Sequence, residues 1–425
     1  MKTTYLLRLL ACVLLLSAPT VTLAGDASSL PPDASASFER ARDAGVTFAT
    51  TPPASWDLSI DALLGIGASR PPDGTIADWL RLMEAGVAPV LAVDVPSGLD
   101  ADTGCIKRTS SGSLDRPSTA QRSCLSLLTL KPGLFTAQGR DATGELWFDD
   151  LGCADVARDA ATPVACLPGA PALAHRRHAS NKGSYGDVAV IGGAHGMTGA
   201  AWMSASAALH GGAGRVFLGL LDPQASETVG TRPELMHRGP GSIDLKAMTA
   251  VCGCGGGDAV RDVLPRVLAD SARLVLDADA LNAVARDPML QDLLRARRAP
   301  TVITPHPLEA ARLLGIDTAA VQADRLKAAD DLAVRYGTVV VLKGSGTIVA
   351  QAGRRSSVNT TGNGRLATAG TGDVLAGMVG AVLARGGPAF EAAQEAVWRH
   401  GDLADRWPAD QPLTAGSLAL AGAPR

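Results

Sequence analysis

The sequence predicts an α/β fold in two modules, and three features carry the prediction. Apolar runs of strand length alternate with helix-length stretches, the pattern of βαβ units in a parallel sheet. Those runs end in glycine or proline turns, and Gly 47 and Pro 26 provide the tight connections such folds need. Between Cys153 and Ala179 the composition turns to Ala, Pro and basic residues without periodicity, which marks a joint. The expected division is residues 1–152, a linker over 153–178, and a second module over 179–425. Aromatics are only 4%, so Ala, Val and Leu must build the cores.

In chain order, Met1 to Arg8 is basic and Leu9 to Leu16 is mostly apolar. Thr22-Leu23-Ala24 could precede a cleavage site, as in a secretory signal. Short length and Pro19 argue against a membrane span. The competing reading is a buried helix, Leu6–Leu16, leading into a strand near Val21. Strand-like runs Leu58–Leu64 and Pro89–Val95 bracket a helical stretch from Thr75 to Ala85. They end in Gly65-Ile66-Gly67 and Pro96-Ser97-Gly98, which places function at the strand C-termini. Gly104–Ser123, rich in Ser, Thr and Arg, reads as a mobile loop, and Leu125 to Gly133 as a strand ending in Lys131-Pro132-Gly133.

After the joint, Asp187–Ile191, Arg215–Leu220, Ala250–Cys252, Leu274–Leu276, Thr301–Ile303 and Val339–Leu342 read as buried strands. Thr198–His210 and Arg325–Tyr336 read as helices between them. Glycine and polar residues collect where the strands end: Gly192–Ala200, Gly253–Gly257, Asp277–Asn282, Thr304–Pro307 and Lys343–Thr347. A single glycine cluster is weak evidence, because turns need Gly anyway. Convergence of these tips on one sheet edge is the signature of a site. Ala369–Asp373, directly before the apolar Val374–Leu383, has the make-up of an anion nest at a helix start, with Asp373 beside it as a base. An ordinary capped helix with Asp373 favouring the helix dipole is the plainer alternative.

Charged residues are 19% and the net charge is −3, which leaves no basic surplus for nucleic acid. The seven cysteines, Cys12, Cys105, Cys124, Cys153, Cys166, Cys252 and Cys254, show no zinc-ligand spacing. Cys252 and Cys254 read as buried small residues, and the scatter suits a reducing compartment.

Taken in order, several segments resemble the ADP-dependent NAD(P)H-hydrate dehydratases of the ribokinase-like superfamily. They are Lys182–Gly186, Gly192–Ala200, Asp277–Asn282, Thr304–Pro307, Lys343–Thr347 and Gly370–Asp373, and the likeness spans about residues 175–420. Leu308 stands where the family has Gly in its His-Pro-Gly-Glu motif, and Glu309 is retained; Leu308 is expected to crowd the loop of His306. The first module resembles the second half of the NAD(P)H-hydrate epimerase domain through Asp61–Gly67, Val93–Leu99 and Leu130–Gly133, which implies a partial Rossmann-like α/β domain before a ribokinase-like one. The epimerase segment Asn-Asn-Gly-Gly-Asp-Gly is not found; the chain reads as though it starts just after it, with Leu6–Leu16 as the following helix and Val21–Asp26 as the next strand.

The resemblance implies a substrate, the (S)-hydrate of NADH or NADPH, with ADP as co-substrate and Mg2+ to compensate phosphate charge. It implies K+ for the first module if that is active. Asp373 would be the catalytic base and contact the hydrate, together with Ala200, Gly257 and His306, and with Asp94 in the first module. Lys343, Gly344, Ser345, Gly346, Thr347 and Gly372 would hold the nucleotide. Asp277, Asp279 and Asn282 would organise the site or its magnesium, and Asp61 and Ser97 would ligate potassium. Plainer readings stand beside these: Lys343 as a solvated strand-end lysine, His306 as a turn residue, Asp279 as a helix cap, and Asp61, Asp94 and Ser97 as strand-end caps. The intracellular substrates imply a cytoplasmic protein, with a secreted or periplasmic one if residues 1–24 act as a signal. A homo-oligomer without stable membrane association is expected. The competing function is a kinase of a small vitamin alcohol carrying a non-catalytic N-terminal interaction module.

Overall fold

The computed structural model describes residues 19–68, 70–107, 120–153, 155, 162–172, 177–225 and 232–422. Leu6–Leu16, the bulk of the signal-like segment and most of the Gly104–Ser123 loop lie outside the described residues. The chain forms two units, Met1–Leu134 with Gln138–Thr162, and Phe135–Ala137 with Pro163–Arg425.

In the first unit, β1 (Thr20–Thr22), α1 (Pro32–Asp43) and β2 (Thr47–Ala49) form a parallel pair with its connecting helix. They are followed by β3 (Ser59–Asp61), α2 (Gly74–Ala85), β4 (Val90–Val93), β5 (Arg122–Leu127), α3 (Gly139–Thr143) and β6 (Glu145–Asp149). Strands β3 to β6 make a four-stranded parallel sheet in sequence order. The strand expected over Leu125–Gly133 is displaced: β5 begins at Arg122 and ends at Leu127, and Pro132–Leu134 form a 3-10 turn. Pro132 cannot donate to a ladder. A Cβ at Gly133 would lie 2.2 Å from the Asp100 carbonyl oxygen, so this stretch is a close backbone crossing.

The second unit contains β7 (Ala165–Cys166), β8 (Asp187–Gly192), α4 (Thr198–His210), β9 (Arg215–Leu220), β10 (Met236–His237), β11 (Thr249–Cys252), α5 (Val260–Asp270), β12 (Arg273–Leu276), α6 (Ala278–Arg286) and α7 (Pro288–Ala296). It continues through β13 (Thr301–Ile303), α8 (Pro307–Leu314), α9 (Thr318–Ala323), α10 (Arg325–Tyr336), β14 (Val339–Leu342), β15 (Ile348–Ala350), β16 (Ser356–Val358), α11 (Thr371–Ala384), α12 (Ala389–Asp405) and α13 (Ala415–Ala421). One ten-stranded sheet runs β10-β9-β8-β11-β12-β13-β14-β15-β16-β7. From β10 to β14 every pairing is parallel, so the C-terminal ends of these strands share one edge.

Alternation along the strands feeds two cores, one on each face of the sheet. Val188, Val190 and Val251 pack with α4, α11, α12 and α13, whereas Ala189, Ile191, Ala250 and Cys252 pack with the helices from α5 to α10. Helices α4 and α11 cross closely because Gly377 offers no side chain; a Cβ there would sit 2.0 Å from the Ser204 carbonyl oxygen. The expected linker also holds structure. Its Ala165–Cys166 pairs with Ser356–Ser357 as the last strand of the large sheet. No helix among the described residues is long and apolar enough to cross a membrane.

Candidate functional site

The strand-end loops of the second unit are stitched together by continuing the sheet ladder past its strands. Gly193 N donates to Cys254 O (2.9 Å), Asp277 N to Cys252 O (3.1 Å), Thr304 N to Leu276 O (3.0 Å) and Lys343 N to Pro305 O (2.9 Å). The loops at Gly192, Gly253, Asp277, Thr304 and Lys343 therefore meet on one edge, the expected place for a site in an open α/β sheet.

At its floor, Asp277 is buried and its Oδ1 accepts from Lys343 Nζ (2.6 Å) and Thr304 Oγ1 (2.8 Å). Lys343 also lies 4.0 Å from Glu309 Oε2. Burial disfavours the ammonium, but the Asp277 and Glu309 carboxylates outweigh it and hold Lys343 above its usual range. The solvated strand-end reading of Lys343 is thus overturned: the side chain is an internal ion-pair member. Burial lifts the Glu309 carboxyl to about 7, against the opposing charge of Lys343.

Asp373 stands in the first turn of α11, whose N-cap Gly370 is left-handed at φ +92°. A helix start leaves its first N–H groups without intrahelical partners. In α11 Thr371 N donates to Thr368 O (3.4 Å), and no side chain caps the N-terminus beside Asp373, as an anion nest requires. Burial and the nearby Asp277 raise Asp373 to about 6, partly offset by Cys254 and Lys343. Gly372 brings its backbone to Lys343: a Cβ there would lie 3.3 Å from Nζ. His400, neutral because burial pushes it down to about 4, braces this turn through Nε2 and the Thr371 carbonyl (3.0 Å).

Other expected site residues take more local roles. Asp279 Oδ2 accepts from Gly257 N (2.9 Å), so it shapes the glycine loop and does not cap its own helix; Asp277 holds the N-cap position. Ala278 sits at φ +48°, an uncommon backbone for a residue with a side chain. Ala200 lies in the first turn of α4, where a Cβ on Gly255 would come within 2.9 Å of it. Asn282 turns to Arg312 of α8 and is not part of the Asp277–Lys343 group. His306 is the N-cap of α8 in a reciprocal capping box with Glu309: His306 Nδ1 accepts from Leu308 N (3.1 Å) and Glu309 N (3.3 Å), and His306 N donates to Glu309 Oε2 (2.8 Å). The expectation that Leu308 crowds this loop fails: Leu308 is 44% exposed and its amide supports the imidazole.

Sequence reasoning treated Cys254 only as a small buried residue. Its Sγ and carboxylate oxygens of Asp277 and Asp373 all lie within 4.8 Å of one another. Burial drives both Cys252 and Cys254 well away from thiolate formation. The buried Arg325 that backs Lys343–Thr347 carries no sequence signal, because it simply opens an amphipathic helix.

In the first unit, Asp61 is buried and accepts from Ser97 N (2.9 Å) and Ser97 Oγ (2.6 Å), and Ser97 Oγ accepts from Leu64 N (2.9 Å). Asp94, at φ +70°, is paired with Lys131, which also donates to Leu127 O (2.7 Å). Asp61 and Ser97 line a small cavity with Glu84 and Arg122.

The chain as a whole is similar to known proteins. The sequence pattern of the family described as NAD(P)H-hydrate dehydratase matches residues 188–422, and that of the YjeF-related protein N-terminus matches residues 9–133. The bifunctional NAD(P)H-hydrate repair enzyme Nnr of Escherichia coli K12 is 37% identical over 367 residues, 83% of this chain and 68% of that one. The ADP-dependent (S)-NAD(P)H-hydrate dehydratase of Neisseria meningitidis serogroup B is 42% identical over 251 residues, 57% of this chain and 84% of that one. The crystal structure of ADP/ATP-dependent NAD(P)H-hydrate dehydratase from Bacillus subtilis, co-crystallised with ATP/Mg2+, superposes with a TM-score of 0.50 at 30% identity, covering 58% of this chain and 91% of that one.

Proposed function

The chain belongs to the NAD(P)H-hydrate dehydratase family, in its bifunctional form with a YjeF-related N-terminal part, and from that premise we propose that the Asp373 pocket carries out the dehydration. The enzyme is a lyase with a ribokinase-like fold: it uses ADP to dehydrate the (S)-hydrate of NADH or NADPH, returning the reduced cofactor with AMP and phosphate. A vitamin-alcohol kinase is the less supported reading.

The observation that carries the assignment to this pocket is Asp373 itself, a half-buried carboxylate raised to about 6 at the N-terminus of α11. Hydroxide is a poor leaving group and phosphate a good one. Asp373 accepts the ring hydroxyl's proton as that oxygen bonds to the β-phosphorus of ADP and the bond to AMP breaks. The open amides of the helix start stabilise charge on the transferring group. The ring nitrogen lone pair then expels phosphate, and loss of a proton from the adjoining carbon restores the double bond. Ala200, Gly257 and His306 line the hydrate side of this reading, and Lys343 to Thr347 with Gly372 the nucleotide side.

Magnesium needs hard oxygen donors, and the Asp277 and Asp373 carboxylates fit that demand while the Cys254 thiol does not. Asp277 would hold the ion together with nucleotide phosphates, leaving Asp373 free to act as base, and the ion would supply charge compensation. Potassium at Asp61 and Ser97 is a separate proposal. The Asp61 oxygens already accept from Ser97 and Leu63, so an ion would have to share them, and no step passes through it. Epimerisation by the first unit is likewise proposed on family likeness. Mixed R and S hydrate run to completion separates the cases: full conversion supports it, and arrest at the S fraction rejects it. A cytoplasmic setting is proposed from the nucleotide substrates, and a homo-oligomer is left to sedimentation.

ADP-dependent recovery of NADH absorbance from chemically prepared NADH hydrate tests the main assignment. Absence of recovery with ADP, alongside phosphorylation of a vitamin alcohol, would replace it with the kinase.

A further inference from the structure

Arg325 opens α10, yet its side chain is almost wholly buried, at 2% exposure. Its guanidinium fork donates to Thr136 Oγ1 (3.0 Å), Gln322 Oε1 (2.8 Å), Leu342 O (3.3 Å) and Lys343 O (3.2 Å). Thr136 belongs to the same unit, and its hydroxyl in turn donates to Ser345 O (3.3 Å). The carbonyls of Lys343 and Ser345 are thus drawn toward one pair of side chains. A trans peptide points its N–H opposite to its C=O. Gly344 N–H and Gly346 N–H therefore face away from Arg325 and Thr136. Both glycines have positive φ, +136° and +61°. Side chains are excluded on the near side: a Cβ at Gly344 would lie 2.9 Å from the guanidinium, and one at Gly346 1.9 Å from the Phe135 carbonyl oxygen. These two alternate N–H groups, turned to the same side of the loop, leave a concavity suited to an anion.

We infer that Arg325 and Thr136 are positioning residues that aim the Gly344 and Gly346 amides at an anionic group of the nucleotide. This rests on the reading of Lys343–Thr347 as the nucleotide segment. Neither side chain touches ligand; both act through the backbone they hold. Phe135–Ala137 thereby becomes part of the dehydratase site, although it lies far upstream of the joint in sequence.

The test uses the full chain. Thr136→Val removes the hydroxyl at nearly constant shape, Thr136→Ser restores it, and Arg325→Lys keeps charge while losing the fork. The expected result for Thr136→Val is a rise of about tenfold in the KM for ADP, with the KM for hydrate and the thermal midpoint close to the parent's. Thr136→Ser should return to the parent value, and Arg325→Lys should follow Thr136→Val if it folds. An unchanged ADP KM in Thr136→Val overturns the inference, as does a parallel rise in both KM values with a lowered midpoint. Hydrogen exchange on the parent separates failure of the underlying reading. If ADP protects amides within 343–347, the segment binds nucleotide whatever Thr136 does. If ADP leaves them unprotected, the segment reading falls and the positioning role with it.

Discussion

Lys343 Nζ donates to Asp277 Oδ1 across 2.6 Å, binding the end of β14 to the end of β12 beneath the proposed reaction centre. The same ammonium lies between two carboxylates, Asp277 and Glu309, both nearly inaccessible to water. Lys343→Met leaves these charges uncompensated and is expected to destabilise the fold by about 3–5 kcal/mol, read as a lowered denaturant midpoint. Because the raised lysine pKa keeps Lys343 charged well beyond neutrality, the pair's contribution is constant near pH 7 and is lost only as pH rises through that raised value.

The pH profile follows from Asp373. A base must be ionised, so kcat/KM for the hydrate is expected to fall as pH drops below about 6. Burial is the larger cause of the raised value and the Asp277 charge the next. Asp277→Asn should therefore move the acid limb downward, measured as the midpoint of the profile; an upward move contradicts the assignment.

Glu309 predicts a stability effect with a definite sign. Its folded pKa of about 7 exceeds the usual carboxylate value, so the folded state holds a proton that the unfolded chain releases. Stability then declines as pH rises from about 4.5 to 7. Glu309→Gln retains an acceptor for the capping box and should flatten that decline by on the order of 1–2 kcal/mol, followed by thermal midpoint against pH.

Gly370 is required by its backbone. At φ +92°, a Cβ there would meet the Met203 sulfur and the Ala415 Cβ, each at 2.9 Å. Gly370→Ala should cost about 1–3 kcal/mol and lower kcat by opening the helix start, as read in unfolding and in steady-state rates.

Much of the second unit was legible because its strands are short apolar runs ended by glycines. Arg215–Leu220 and Val339–Leu342 stand where the pattern put them. Helix Thr198–His210 likewise has the bounds that its turns implied. What escaped detection lacks such a pattern. Ala165–Cys166 is too short for periodicity, and its strand character comes only from pairing with β16. Ser356–Val358 is a strand of mostly hydroxyl residues, with Ser356 satisfied by Asp330 on α10. Leu125–Gly133 misled because its apolar residues continue past the true end of β5 at Leu127. Within the site, Asp373 was visible from the glycines around it. The Asp277–Lys343 pair was not, because its members are separated by 66 positions and become partners only when β12 and β14 flank β13.

The most direct measurement is turnover by Asp373→Asn with ADP and (S)-NADH hydrate, alongside its affinity for ADP. The account predicts a fall in rate of about 10²–10⁴-fold with nucleotide affinity close to the parent's. Retention of the parent's rate would contradict it.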